Sequence, residues 1–464
     1  MLNYLTTRKS ASAVPLYLFS GKASFKPWLK DQSLNVQNWV AATGFQALAG
    51  EICCLPDAEG RLQAALAGVT DLGEPWQVSK LPSALPKTRY SVETSLTSLS
   101  KEQANAIALG WALGTYRFDR YKSSKRSFAT LVWPNEADRA RVEALVTATG
   151  NGRDWINTPA EDMTPQTLAQ VAREMAEGFG ASYREVVGEA LLEQNYPCIH
   201  AVGRAAAIAP RLIDFTWGSQ THPKVTLVGK GVCFDSGGLD LKPAEAMKLM
   251  KKDMGGAATV LAVASAVMQL GLALRLRVLI PAVENAVSGN AFRPLDVLRT
   301  RKGLTVEVGH TDAEGRLVLG DALAEADEEA PELLIDVATL TGAARVALGT
   351  GLPALFSSSD EAAAQLMEAG TAAHDPLWRL PLHRPYRRLL DSKVANLSNV
   401  SNGPYAGAIT AALFLQEFVT KTHNWMHIDT MAFNIDSQPG RPYGGEVFGL
   451  RALVEHLSRR YPPR

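Results

Sequence analysis

Apolar runs of strand length alternate with helical patterns along most of the chain. Residues 225–228 (Val-Thr-Leu-Val) form a largely apolar run of strand length, and 256–270 follow with helical length and spacing. Residues 277–283 again read as a strand, 304–308 alternate, 316–326 are helical, 332–337 read as another strand, and 410–420 read as a helix. Strands without a polar face, set between helices, predict a largely parallel sheet covered on both sides. In such sheets ligands bind beyond the carboxyl ends of the strands. Lys230, Asp235, Glu284 and Asp312 all follow closely after predicted strands, on that edge.

Upstream, the pattern predicts a first strand at 13–19, a helix at 104–113 and a strand at 128–133. A helix from about 135 to 151 leads out of this region, and Asn157-Thr-Pro159 and Thr164-Pro165 mark a loop and the next helix start. The chain therefore reads as α/β throughout: a smaller N-terminal α/β domain over 1–140, a connecting helix and loop over 141–165, and a larger, mostly parallel-sheet α/β/α catalytic domain over 166–464. A chain of 464 residues exceeds one ordinary core, which agrees with this division. Residues 325–332 read as a short acidic, solvated stretch. The uncharged run 255–274 has the length of a membrane span, but its alanines and Thr259, Ser265 and Gln269 predict a buried core helix instead. No membrane partner is expected.

Charge narrows the partners. Lys+Arg and Asp+Glu are both 47, so there is no net field to attract nucleic acid or an anionic surface, although a local basic patch stays open. The four cysteines show no Cys-x-x-Cys spacing, which predicts reduced thiols and a cytoplasmic protein. Cys233, between Val232 and Phe234, reads as a small buried hydrophobe rather than a nucleophile.

Candidate chemistry lies in three segments: Gly229-Lys230-Gly-Val-Cys-Phe-Asp235-Ser-Gly-Gly238 with Lys242, then Met250-Lys-Lys-Asp253-Met-Gly-Gly256, then His310-Thr-Asp312-Ala-Glu314-Gly-Arg316. Asp312 and Glu314 are two apart, so an extended segment puts both carboxylates on one side. Gly315 permits a sharp turn, and Arg316 at a helix start is a natural anion site. The glycines after Asp235 let backbone approach closely. Four converging carboxylates repel one another unless cations neutralise them. Two divalent ions about 3.5–4 Å apart would do so and would support hydrolysis. Oxygen ligands without cysteine suit Mg, Mn, Zn or Co. Each segment alone could be an ordinary turn, and Gly-Lys-Gly at 229–231 lacks the other residues of a phosphate loop.

Taken together, these segments carry a family resemblance. Thr311-Asp-Ala-Glu-Gly-Arg-Leu317 matches the signature Asn-Thr-Asp-Ala-Glu-Gly-Arg-Leu of the leucyl (cytosol) aminopeptidases in all but its first residue. Val228-Gly-Lys-Gly, Phe234-Asp-Ser-Gly-Gly238, Met250-Lys-x-Asp-Met-Gly-Gly-Ala-Ala258 and Ala338-Thr-Leu-Thr-Gly-Ala343 resemble that family too, in order and spacing. The resemblance spans roughly residues 150–460 and reaches weakly upstream at Tyr116-Arg-Phe and Tyr121-Lys122.

The resemblance implies an aminopeptidase acting on peptides with free N-termini. It implies that Lys230, Asp235, Asp253, Asp312 and Glu314 hold two divalent metal ions, Zn or Mn foremost, with Asp235 and Glu314 shared. Lysine ligates only as a neutral amine, so the pKa of Lys230 must be strongly lowered. By the same resemblance Lys242 stays charged and stabilises the oxyanion, and Arg316 holds a bicarbonate that serves as general base. Met250, His310, Thr339, Leu340 and Gly342 would bind substrate, and the assembly would be a homohexamer. His310 stands where the family has asparagine, and its place is read as a substrate contact on the leaving-group side rather than a metal ligand. Residues 426–433 and 441–445 diverge from the better-known members and are expected to shape the pocket for the N-terminal side chain, so a leucine preference does not carry over. A binding or regulatory protein on the same fold, such as one that binds DNA, is the competing class.

Overall fold

The computed structural model describes residues 1–8, 13–93, 98–123 and 126–463. They form two units: Met1–Gly150 with Asp436–Tyr443, and Asn151–Ile435 with Gly444–Arg464. The division falls inside the helix Arg139–Asn157, which starts later and runs further than the pattern over 135–151 indicates.

The first unit is built on strands β1 (Leu5–Thr6), β2 (Val14–Phe19), β3 (Ile52–Pro56), β4 (Leu62–Gly68), β5 (Arg89–Glu93) and β6 (Thr130–Val132). They form one sheet in the order β1-β6-β5-β2-β4-β3, parallel except for β3. Phe19, Phe25, Trp28 and Phe45 pack on this sheet in edge-on and tilted contacts. The helix expected at 104–113 spans Lys101–Leu113 and starts with a capping box, Ser100 with Gln103. Arg441, from the segment that returns near the C-terminus, lies over the Trp76 ring at 4.1 Å. Residues 441–443 thus belong to the first unit.

The second unit contains β7 (Ser182–Val187), β8 (Arg211–Trp217), β9 (Lys224–Gly229), β10 (Gly231–Asp235), β11 (Arg275–Asn285) and β12 (Val297–Arg299). It continues with β13 (Thr305–Glu307), β14 (Leu333–Ala338), β15 (Ala354–Ser357), β16 (Trp378–Arg379), β17 (Leu397–Ser398) and β18 (Trp425–Asp429). The main sheet runs β16-β15-β18-β14-β9-β11-β8-β7, with β10 also paired to β11. Its centre (β18, β14, β9, β11 and β10) is parallel, as the apolar runs predict, while β8 is antiparallel to β7 and β11 and β15 is antiparallel to β18. β12, β13 and β17 form a separate small sheet.

The stretch Met250–Leu270 is long and apolar enough to cross a membrane, yet 89% of its most apolar window is buried inside the protein. Its helix, Gly255–Leu270, is the core helix the alanine pattern predicts. The four cysteines are free, and burial pushes the Cys233 thiol upward, away from nucleophilic use.

One reading fails. Glu325 and Asp327, expected in a solvated stretch, are buried. Glu325 accepts from Arg277 Nη2 at 2.6 Å, and Asp327 accepts from the backbone N–H groups of Thr420 and Thr422 at 2.7 and 2.8 Å. Acidic composition alone does not show whether cations and free amides wait across the fold.

Small residues set how closely helix and sheet approach at the functional edge. Ala257 N–H donates to the Lys230 carbonyl at 2.9 Å, and Lys230 N–H donates to the Val337 carbonyl at 3.0 Å. A Cβ on Gly256 would stand 2.1 Å from the Val337 oxygen and 2.9 Å from the Lys230 nitrogen. Both are backbone atoms and cannot step aside. Gly256→Ala is therefore expected to destabilise the protein by about 1–3 kcal/mol, as overpacking does. The measurement is the denaturant midpoint, and an unchanged midpoint would contradict this close approach.

Candidate metal centre

The functional side chains sit where the central strands end. Lys230 follows β9, Asp235 ends β10 and Asn285 ends β11. The register of β10 against β11 shifts between Val232 and Asp235, which re-aims the strand end. Asn285 Nδ2 donates to Asp235 Oδ1 at 2.9 Å and to the Thr311 carbonyl at 3.2 Å. Glu284, placed by the sequence on the same edge, does not join this cluster, because alternation turns its side chain from the face Asn285 occupies. Gly237 takes φ +90°, and its N–H donates to Asp235 Oδ1 at 2.9 Å. Asp253 lies in the short turn Met250–Met254, held by Thr339 Oγ1 donating to its Oδ1 at 2.7 Å. Asp312 and Glu314 precede the helix Gly315–Glu328.

These residues converge. Asp235, Asp312 and Glu314 offer oxygens that all lie within 4.8 Å of one another. Lys230 Nζ reaches Asp253 Oδ2 at 2.7 Å and Glu314 Oε1 at 2.9 Å. Lys242 Nζ reaches Asp235 Oδ2 at 2.8 Å and also contacts Asp312. A Cβ on Gly315 would stand 2.6 Å from Lys230 Nζ, so the turn into the helix needs glycine to leave room for that amine. Arg316 donates from Nη1 to the Asn399 carbonyl at 2.7 Å, while its buried Nε has no hydrogen-bond partner among the described residues.

The charges are crowded. Burial, then the Asp235 charge, push the Glu314 carboxyl up to about 8. Burial and Asp253 raise Asp235 as well. Burial also works against the charge on Asp253, but Lys230 and Lys252 outweigh it and hold that carboxyl low. For Lys230, burial opposes the ammonium, yet Asp253, Glu314 and Asp235 more than compensate and raise its pKa. The protein's own charges thus keep Lys230 protonated; it becomes a neutral donor only if cations take over the carboxylates. Burial draws Arg316 down to about 10, so it stays charged at neutral pH.

The donor set fits a divalent cation. Asp253 Oδ2, Glu314 Oε1 and Asp312 Oδ1 are met only by the Lys230 and Lys242 ammonium groups, and the buried Glu314 Oε2 has no partner among the described residues. Buried carboxylate oxygens left in that state are costly unless a cation meets them. Oxygens with one amine and no thiol suit hard or borderline ions.

A cleft of about 730 Å³ opens beside the cluster, lined in part by Lys242, Met250, His310, Asp312, Gly342 and Met431. Met431 comes from the divergent region 426–433. His310 is about half exposed, and its Nδ1 accepts from the Asp312 N–H at 3.1 Å. Thr339 and Leu340 are not among the lining residues; they sit behind it. The Thr339 carbonyl faces Lys230 Nζ at 3.5 Å, and the Leu340 N–H donates to Asp429 Oδ1 at 3.0 Å.

A family model described as the catalytic domain of the cytosol aminopeptidase family matches residues 151–454. The chain belongs to that family. A second model, the N-terminal domain of M17 aminopeptidases, matches residues 14–134. A crystal structure of cytosol aminopeptidase from Coxiella burnetii is 46% identical, with a TM-score of 0.95 over 99% of this chain and 100% of that one. The bottromycin maturation enzyme BotP in complex with Mn is 36% identical, with a TM-score of 0.87 over 97% of this chain and 100% of that one. A probable cytosol aminopeptidase from Wolinella succinogenes is 36% identical over 461 residues, 93% of each chain. This chain is accordingly a metal-dependent aminopeptidase, a hydrolase that uses divalent metal ions and acts on peptides. A non-catalytic binding role in its place is not favoured.

Sequence reasoning missed the residues that hold the site from a distance. Asn399 Oδ1 accepts from the Gly309 and His310 N–H groups at 2.7 and 3.3 Å, and its Nδ2 donates to the His310 and Ala313 carbonyls at 2.8 and 3.3 Å. It clamps the loop before Asp312 from one side, while Asn285 and Asp240 hold Thr311 in the same loop. Asp429 accepts from Thr341 Oγ1 at 2.6 Å and fixes the 340–341 turn. His427 was passed over too: its Nδ1 lies 2.5 Å from Asp336 Oδ1 on the neighbouring strand, fully buried, and Asp336 raises its pKa against the pull of burial. No local spacing announces this pair, because Asp336 lies 91 residues back along the chain. Outer groups that orient ligands typically change metal affinity by about 10–100-fold when removed. Asn399→Ala is expected to weaken Mn2+ binding within that range in a calorimetric titration, and wild-type affinity would show that the loop needs no clamp.

Proposed function

We propose that the chain removes N-terminal residues from peptides at a two-metal centre formed by Lys230, Asp235, Asp253, Asp312 and Glu314, with Asp235 and Glu314 shared between the ions. The observation that carries this is the crowding of four carboxylates around two lysines, with Asp235, Asp312 and Glu314 offering oxygens within 4.8 Å of one another. When bound, two divalent ions supply a lowered water pKa, polarisation of the scissile carbonyl and a seat for the substrate's neutral α-amine. The Mn named with BotP supports Mn or Zn here, ahead of Mg or Co.

The chain's own groups supply the rest. Lys242 stands at the rim, in contact with both Asp235 and Asp312, where a cation can meet negative charge developing on the carbonyl oxygen. Arg316, with its unpartnered Nε and its place at a helix start, is suited to hold a small anion such as bicarbonate, and that anion can accept the proton of the attacking water. Met250, Gly342 and His310 face the substrate, while Thr339 and Leu340 fix the backbone behind it. The same reading places the protein in the cytoplasm as a homohexamer, which light scattering of the purified chain would check.

Asp312→Ala is expected to bind less Mn2+ and to fall to background on an aminoacyl p-nitroanilide, and full activity in this variant would sink the metal assignment. Lys242→Ala is expected to lose about 10²–10³ in kcat, the scale of one oxyanion donor, with its metal retained. Elemental analysis separates the cases: lost metal would make Lys242 a structural counter-ion instead.

A further inference from the structure

The metal centre has an enclosed side and an open side. Asp253 is buried, with the equally enclosed Lys230 against it. Across the cluster the side chain of Asp312 is 32% exposed and His310 is about half exposed. Leu241 lines the cleft with Pro243 and Ala246, and it is 59% exposed. The backbone on both sides of this leucine is fixed. Asp240 N–H donates to Thr311 Oγ1 at 2.8 Å, and Asp240 Oδ2 accepts from the Thr311 N–H at 2.8 Å. Lys242 N–H donates to the Ser236 carbonyl at 2.9 Å, and Lys242 Nζ reaches Asp235 Oδ2 at 2.8 Å and contacts Asp312. These bonds place Leu241 on the open side and pin it to the residues around the metal centre, while its side chain is left in water. The His310 ring is set on the same side: its Nδ1 accepts from the Asp312 N–H at 3.1 Å and lies 3.6 Å from Asp240 Oδ2.

A peptide cut after its first residue must put its N-terminus deepest and lead the rest of its chain out toward solvent. The open side is therefore where the chain continues beyond the cut. Lys242 meets the carbonyl under attack in the reading above, and Leu241 adjoins it in the chain. The first side chain past the cut thus meets an aliphatic group and an imidazole ring, both set in place before anything binds. Preorganised apolar surface costs little ordering entropy on contact, and a ring gives an aromatic guest a stacking partner. The family signature has asparagine at position 310, which offers no ring, so the stacking face belongs to this chain.

We infer that Leu241 and His310 form a subsite for the second residue of the peptide, and that this subsite selects a large apolar side chain, aromatic ahead of aliphatic. The inference rests on the aminopeptidase reading given above.

The test compares kcat/KM of the Mn-loaded full-length protein on the dipeptides Leu-Phe, Leu-Leu, Leu-Ser and Leu-Lys. A second series that starts with alanine frees the result from the choice of first residue. Phenylalanine is expected to exceed serine by about five- to tenfold, the scale of a side chain half removed from water. It is expected to exceed leucine by a smaller factor, through stacking. The contact is made on binding and kept in the transition state, so the gain is expected in KM rather than in kcat. Leu241→Asn keeps the size of the side chain without its apolar surface; it is expected to bring the phenylalanine-to-serine ratio toward one, with recovery in Leu241→Met. His310→Asn is expected to remove the margin of phenylalanine over leucine. Calorimetry with the uncleavable reduced-amide analogues of Leu-Phe and Leu-Ser is expected to give the same order of affinity without turnover. A wild-type protein that cleaves the serine or lysine peptides as well as the phenylalanine ones overturns the inference, as does a phenylalanine-to-serine ratio unmoved by Leu241→Asn. Failure to cleave any peptide of either series would instead overturn the aminopeptidase reading beneath it.

Discussion

Mutual repulsion among four carboxylates at one rim of a sheet constrains this structure more than any other interaction. Asp235, Asp253, Asp312 and Glu314 come from three separate stretches of chain, and hydrophobic burial around the parallel strands brings them together whether or not their charges agree. The raised carboxyls of Asp235 and Glu314 record the strain. Lys230 and Lys242 offset part of it but leave Glu314 Oε2 without a partner among the described residues. A fold that keeps such an arrangement gives up stability at the rim and gains strong affinity for small, highly charged cations.

Holding the carboxylates in place falls to neutral groups. Asn285, Asn399, Thr311 and Thr339 each donate to a carboxylate or to the backbone that carries one. Amides and hydroxyls can orient a ligand without neutralising it, so the negative charge stays available for metal. The glycines serve the same end by different means. Gly315 makes room for the Lys230 amine and Gly256 lets a helix touch the strand ends, so the lysine backbone is fixed by hydrogen bonds on both sides.

The central architecture could be read from the sequence because its cause is local. An apolar run at 225–228 with no alternation can only be a strand buried on both faces, and β9 extends it by one residue at each end. The helix at Gly255–Leu270 and the ligand-bearing motifs were readable for the same reason, since each lies within a few residues. What stayed hidden depends on distant partners. Asn399 gave no signal because its hydrogen bonds reach some ninety residues back to the 309–313 loop. Glu325 looked solvated because Arg277, which buries it, lies on another element. Lys252 stood in plain view inside a ligand motif, yet only the fold shows that it is buried on the cleft and shares it with Arg345.

The two lysines at the rim differ in a way that divides their labour. Lys230 is wholly enclosed between Asp253 and Glu314, with a side chain 4% exposed, whereas that of Lys242 is 13% exposed and stands beside the more open Asp312. Both are raised by the carboxylates around them, against the pull of burial. Divalent cations placed among those carboxylates would cancel that support and add repulsion of their own. The ammonium that water cannot reach then gives up its proton first, because solvation cannot make good what the carboxylates withdraw. Lys230 would thereby become a nitrogen ligand, while Lys242, nearer to solvent, keeps its charge and can turn toward an oxyanion. Under the proposed two-metal reading, identical side chains would so acquire opposite roles from their different depths at the sheet edge.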